Sequence, residues 1–260
     1  MIRYRVGVVG DIHANLCALD AAIHAIEENE CDELIFLGDI LTYGIDVMGV
    51  VEKIAAISLT KKTILLRGNH DSIYLTSSQI KMLGYVNNLP DWIKESVAYT
   101  KKKLVINAFD SLPFVGNYES RGIYFSHANP YGENDWRYIN TDADHVYAST
   151  ILHNLKMNCG VFGHTHRPKY YLNSKVTEVV SSDVERFNIY DQKTPCIVNA
   201  GSIGQPRSKA KPHVLFLDIE GDFITIKFKE IDYDITSHVN KLKQSSLSSK
   251  TIEKLISFFI

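Results

Sequence analysis

"GVFGHTHRP" occupies residues 160–168. An apolar run, Gly160–Phe162, stops at Gly163. His164 and His166 follow with one threonine between them, and Pro168 closes the stretch. An imidazole is costly to bury without a partner, so two of them at the end of a buried-looking strand need a common reason. Two residues apart in extended chain, both rings point the same way.

The same pattern recurs upstream, and the recurrence decides the fold. Val6–Val9 is followed by Gly10-Asp11-Ile12-His13, and Leu34–Leu37 by Gly38-Asp39. Thr63–Leu66 is followed by Arg67-Gly68-Asn69-His70-Asp71, and Ile123–Phe125 by Ser126-His127. Between the first three runs, Leu16, Leu19, Ile23 and Ile26, then Val47, Val50, Val51 and Ile54, recur at helical spacing. Strand–helix alternation predicts a parallel α/β sheet, with strands covered on both faces. In such a sheet, ligands bind outside the carboxyl ends of the strands.

Residues 72–121 interrupt the alternation. Pro90 and Asp91 start a helix with Ile93, Val97 and Leu104 inward, and Leu112-Pro113-Phe114 ends it. The whole region reads as a helical cap insertion over about 72–121, with Lys101–Lys103 on a solvated face. A strand at 122–126 and a helix near 142–157 follow. Beyond Pro168 the segments look strand-like, and "EGD" (220–222) joins two alternating strands in a hairpin. This half is expected to add a largely antiparallel sheet. Ile252, Leu255, Ile256 and Phe259 mark an amphipathic helix docked on the core. The expected fold is α/β: a two-sheet mixed β-sandwich flanked by helices, in one domain over 1–260.

Composition sets the outer limits. The 260 residues are 45% hydrophobic, and 28 basic against 30 acidic residues give a formal net charge of -2. That balance carries no footprint for nucleic acid or an anionic membrane. Cys17, Cys31, Cys159 and Cys196 are scattered without a CxxC pair, which argues against a disulfide framework or a thiolate zinc site. No leader-like segment or membrane span is legible, so a cytoplasmic protein is expected, with homo-oligomerisation left open.

Each strand-end motif taken alone reads as a turn or a surface histidine. Together they place two carboxylates, one amide and four imidazoles at one edge, more donors than one divalent ion takes. Mixed nitrogen and oxygen donors suit Mn, Fe, Zn, Co or Ni rather than Ca or Mg, with manganese the first choice. Two ions about 3.5–4 Å apart form a clamp for in-line phosphoryl transfer. Two divalent ions, less Asp11, Asp39 and a bridging hydroxide, leave one positive charge for an anionic phosphate.

The series Asp11-x-His13, Gly38-Asp39, Gly68-Asn69-His70-Asp71, His127, His164-x-His166 resembles the calcineurin-like metallophosphoesterase superfamily. "NAGSIGQPR" (199–207) looks like the glycine-rich loop of its small bacterial members. The resemblance implies that Asp11, His13 and His166 hold one metal, that Asn69, His127 and His164 hold the second, and that Asp39 bridges them. By the same resemblance His70 is a catalytic proton donor, not a ligand. The implied activity is hydrolysis of a phosphodiester or a small phosphomonoester by a metal-bridging hydroxide.

The sequence also departs from relatives. Protein serine/threonine phosphatases and symmetrical diadenosine tetraphosphate hydrolases carry an arginine after the second Asp, whereas "GDILTYGID" (38–46) has none. Those activities are the alternative reading, and Arg207 is the first candidate to contact substrate in place of that arginine, ahead of Arg67 and Arg137. Tyr43 and Tyr131 are open between substrate contact and packing, and Asp71 between orienting a ligand and capping a helix. Non-catalytic scaffolds of this fold lose the histidine after Asn, which is present here as His70. His24, His145, His153, His213 and His238 lie outside every motif and are read as non-functional.

Overall fold

A computed structural model of the chain describes residues 3–78, 80–207 and 211–259. β1 (Tyr4–Val9), α1 (Leu16–Glu28), β2 (Glu33–Phe36), α2 (Val47–Thr60) and β3 (Thr63–Leu66) alternate as the sequence predicts. The cap region holds α3 (Leu83–Asn87), α4 (Asp91–Lys103) and α5 (Ile106–Asp110). It is helical only to Asp110. β4 (Phe114–Val115) and β5 (Asn117–Ser120) follow, so the last part of the expected insertion pairs into the sheets. Its residues alternate between half-buried and exposed, a strand pattern hidden by the proline and glycine around it. Next come β6 (Ile123–Ser126), α6 (Asp142–Asn154), β7 (Cys159–Phe162), β8 (Lys169–Leu172), β9 (Lys175–Glu178), β10 (Asp183–Asn188) and β11 (Cys196–Asn199). β12 (His213–Glu220), β13 (Phe223–Glu230), α7 (Ile235–Lys243) and α8 (Ser249–Ile256) complete the chain.

Two mixed sheets result, of seven strands (β10-β13-β12-β1-β2-β3-β4) and six (β5-β6-β7-β11-β8-β9). The C-terminal strands form no sheet of their own. β12 pairs antiparallel with β1, while β11 pairs parallel with β7 and antiparallel with β8. Strand alternation fills two layers at once. Val6, Val8, Ile35 and Leu37 face the space between the sheets with Phe125, Val161 and Leu215. Val9, Leu34 and Phe36 face α1 and α2, meeting Ile26, Val50 and Ile54. On the far face of the second sheet, Leu152 of α6 covers Phe162 and Ile197.

α8 docks across the cap rather than standing free. The Glu95 carboxylate on α4 accepts the Ser248 N–H at 2.5 Å, the Ser248 hydroxyl at 2.6 Å and the Thr251 hydroxyl. A carboxylate at a helix N-terminus is favoured by its free N–H groups and dipole. Glu95→Ala is expected to lower stability by about 1 kcal/mol, the scale of a lost helix cap, and to raise proteolytic sensitivity after residue 244. Denaturant melts with limited proteolysis check this.

Candidate metal centre and cleft

Five strand ends converge. β1, β2 and β3 of one sheet carry Asp11 and His13, Asp39, and Asn69 and His70; β6 and β7 of the other carry His127, His164 and His166. Ligand atoms of Asp11, His13 and His166 lie within 4.8 Å of one another, as do those of Asp39, His127 and His164. The amide oxygen of Asn69 lies 3.1 Å from His127 Nε2 and so belongs to the second group. Asp39 stands between the groups: its Oδ2 is 3.3 Å from His127 Nε2 and 3.9 Å from His13 Nε2.

Each of the four rings donates one N–H to a backbone carbonyl. His13 Nδ1 donates to Leu41 at 3.0 Å, His127 Nδ1 to Leu37 at 2.8 Å, His166 Nδ1 to Gln205 at 2.7 Å and His164 Nε2 to Trp136 at 2.9 Å. A carbonyl only accepts, so these bonds fix the tautomers and turn the other ring nitrogen inward. His13 Nε2 and His166 Nε2 then face each other at 3.1 Å, and His127 Nε2 faces His164 Nδ1 at 3.2 Å. Ring nitrogens that face each other at these separations suit a shared cation, which would take the place of any proton between them. The donor set fits a divalent transition ion in each group.

The electrostatics agree. Burial, foremost, holds His13 and His166 well below the usual imidazole range and brings His164 to about 3, leaving neutral nitrogen donors. Burial also acts against charge on His127, but the carboxylates of Asp39 and Asp11 outweigh it and raise the ring to about 9. Burial pushes Asp11 up, whereas the surrounding rings, His127 first, outweigh burial at Asp39 and hold it well below the usual carboxylate range. The pocket therefore attracts positive charge beside Asp39.

The extended reading of His164-x-His166 does not hold. Both residues are left-handed, at φ 65° and 60°, as are Asp11, His13 and Asp39 at 51°, 49° and 51°. This is how residues two apart reach different groups. Neighbouring loops hold the strained turns: His13 N–H bonds Asp39 O at 2.9 Å, and the Ser202 hydroxyl and Gly204 N–H both bond Asp11 O. The 199–207 segment thus ties the first ligand loop to the last, and its Gln205 carbonyl aims His166.

Asp71 braces the loop that carries Asp39. Its carboxylate accepts the N–H groups of Asp39 (2.7 Å), Gly68 (2.9 Å) and Ile40 (3.0 Å), while burial and the Asp39 charge push it up to about 7. Asp71→Asn must turn an amide N–H toward one of those donors. Metal affinity is expected to fall roughly 10–100-fold, read by titration of the metal-depleted protein. Gly68 has a steric reason: a Cβ there would sit 2.1 Å from Asp39 Oδ1 and 2.5 Å from its backbone nitrogen. Gly68→Ala is expected to displace the Asp39 loop and to lower both melting temperature and metal content.

His70 is buried beside both groups without joining either. Its backbone N–H bonds Asp39 Oδ1 at 2.8 Å, its Nε2 lies 3.1 Å from the Tyr43 hydroxyl, and its Nδ1 has no partner among the described residues. It opens on a cleft of about 360 Å³ that Tyr43, Arg207, Trp92, Tyr138, Lys254 and Phe258 help to line. Tyr43 stacks on Trp92 at 5.4 Å, and Tyr138 on His164 at 4.4 Å. Arg207 reaches the Tyr43 hydroxyl at 3.4 Å and Gln205 Oε1 at 3.1 Å. Arg67 pairs instead with Glu133, and exposed Arg137 with Asp135, so neither lines this cleft. Tyr131 packs on Tyr147.

Spacing gave no sign of Trp92, Tyr138, Lys254 or Phe258, which reach the cleft from the cap, a loop and the chain's end. The histidines outside the motifs lie elsewhere: His24 pairs with Glu28 on the surface, His145 stacks on Tyr171, His213 packs on Phe228 and His238 on Phe259. His153 is exposed.

Comparisons with known proteins point the same way. A sequence profile of the calcineurin-like phosphoesterase superfamily domain matches residues 4–222. An uncharacterized protein of Methanocaldococcus jannaschii is 29% identical over 98% of both chains. A metallophosphoesterase of Sphaerobacter thermophilus shares the fold with TM-score 0.76 at 18% identity, over 99% of this chain and 100% of that one. A hypothetical protein of Pyrococcus horikoshii OT3 does so with TM-score 0.75 at 21% identity, over 97% of each. No helix among the described residues is long and apolar enough to cross a membrane. With the profile covering most of its length and both His/Asp groups in place, this chain belongs to the calcineurin-like phosphoesterase superfamily and is a metal-dependent phosphoester hydrolase.

Proposed function

We propose that this protein hydrolyses small phosphate esters, either phosphodiesters or phosphomonoesters, with two divalent transition metal ions, manganese first among them. Asp11, His13 and His166 hold one ion, Asn69, His127 and His164 the other, and Asp39 touches both. The supporting observation is the two pairs of facing imidazole nitrogens, 3.1 Å apart in one group and 3.2 Å in the other. When bound, the ions supply charge for the phosphoryl oxygens and activate water for attack. The chain's own residues do the rest. The Leu41, Leu37, Gln205 and Trp136 carbonyls hold the rings in one tautomer. His70 hands a proton to the leaving oxygen, with the Tyr43 hydroxyl at its Nε2 holding the ring in place. Arg207 contacts a phosphoryl oxygen, with only neutral groups as its hydrogen-bond partners among the described residues.

Elemental analysis should find about two transition ions per chain. Chelation should abolish hydrolysis across a panel of phosphomonoesters, phosphodiesters and dinucleoside polyphosphates, and Mn should restore it. Full activity in a verified metal-free sample overturns the proposal.

A further inference from the structure

The cleft has a second cationic side that the hydrolysis itself does not use. Phe258 lies just beyond the end of α8, and its ring has a cation on each of two approaches. Arg207 Cζ is 5.9 Å from the ring centroid and Lys254 Nζ is 4.9 Å from it. Lys254 also lies 5.9 Å from the Trp92 ring, and Arg207 5.9 Å from Tyr43. Lys254 is exposed, and its ammonium stands over these two rings at the edge of the cleft. Neither cation has a carboxylate partner among the described residues. Arg207 is linked through Tyr43 to His70; Lys254 has no such link among the described residues and lies against Phe258 and Trp92 on the exposed side of the cleft. Tyr138, 44% exposed, has one face on His164 and lines the same space.

Such a cleft offers a flat ring surface between two positive charges. We propose that Lys254 is a specificity residue: together with Arg207 and the aromatic lining it selects a phosphate ester that carries a flat ring and a second phosphate, the reacting phosphoryl at Arg207 and the second phosphate at Lys254. This rests on the phosphoesterase reading above. It also gives α8 a function, since the Glu95 latch is what holds Lys254 at the mouth.

The test is equilibrium binding, followed by tryptophan fluorescence, to Mn-loaded protein with His70→Asn in the background to suppress turnover. The probes are ribose 5-phosphate, thymidine 5′-monophosphate and thymidine 3′,5′-bisphosphate. The ring should strengthen binding by roughly tenfold over ribose 5-phosphate, the scale of one stacked base. The second phosphate should add about fivefold, the upper range for an exposed ion pair, and that increment should shrink with added salt. Lys254→Ala should bring the bisphosphate-to-monophosphate ratio near one, and Lys254→Arg should retain it. Lys250→Ala, exposed on the same helix but outside the cleft, should leave it unchanged. Equal binding of the two thymidine nucleotides by Lys254-containing protein, or a ratio that survives Lys254→Ala, overturns the proposal. Hydrolysis of thymidine 5′-(4-nitrophenyl phosphate) by the unsubstituted protein tests the phosphoesterase reading separately.

Discussion

Asp39→Asn should abolish phosphoesterase activity while leaving the fold intact. The asparagine can keep the bond from His70 N–H, because its amide oxygen can stand where Oδ1 stands, 2.8 Å from that nitrogen. Its NH2 then faces the nitrogens of His127 and His13, which the carboxylate Oδ2 approaches at 3.3 and 3.9 Å. A donor replaces the one negative group common to both clusters. Loss of an outer partner of a metal ligand costs roughly 10–100-fold, so loss of a shared ligand should cost more than that. Metal content should drop from about two ions to below one per chain, with an unchanged circular dichroism spectrum. His24→Asn is the control, because His24 is exposed and pairs with Glu28, away from both His/Asp groups. Equal losses in the two variants, or two ions retained by Asp39→Asn, would show that Asp39 is not the shared ligand.

His70→Asn should separate catalysis from metal binding. The ring belongs to neither His/Asp group, and its Nδ1 is buried without a partner among the described residues. Metal content should therefore stay at the wild-type level while turnover falls by roughly 10²–10⁴, the usual worth of a positioned general acid. The loss should depend on the leaving group. A nitrophenolate departs without a proton, so nitrophenyl esters should be hurt least and alkyl or nucleoside esters most. Rates on both ester types, with elemental analysis, decide it. Loss of an ion would make His70 a ligand, and equal slowing of both ester types would make it an anchor for phosphate.

Much of this was legible in the chain because strand periodicity and strand-end chemistry are local. Val6–Val9, Leu34–Leu37 and Thr63–Leu66 announce buried parallel strands, and the Asp, Asn or His after each lies at the same edge by topology alone. What stayed hidden was non-local. No pattern in 114–120 says that a proline- and glycine-flanked segment pairs at two sheet edges. β10 pairs with β13, and α7 packs through Leu242, contacts that neither segment names by itself. Lys254 and Phe258 are far in sequence from every motif, and only the docking of α8 through Glu95 brings them to Arg207. The left-handed turn at His164 could not be read at all, since that conformation is imposed by the loops around it.

Those turns have a consequence for how such a chain evolves. Five candidate ligands, Asp11, His13, Asp39, His164 and His166, hold positive φ, a conformation costing a residue with a Cβ about 1 kcal/mol or more. Glycine would relieve each of them and donate nothing to a metal. Selection for heat resistance and selection for turnover therefore pull these five positions in opposite directions. Ion binding reverses part of the conflict, because a ligand held only by the native state stabilises it by mass action. The durability of this protein in a cell is thus tied to the supply of its metal, and scarcity shortens the lifetime of the fold as well as slowing its chemistry.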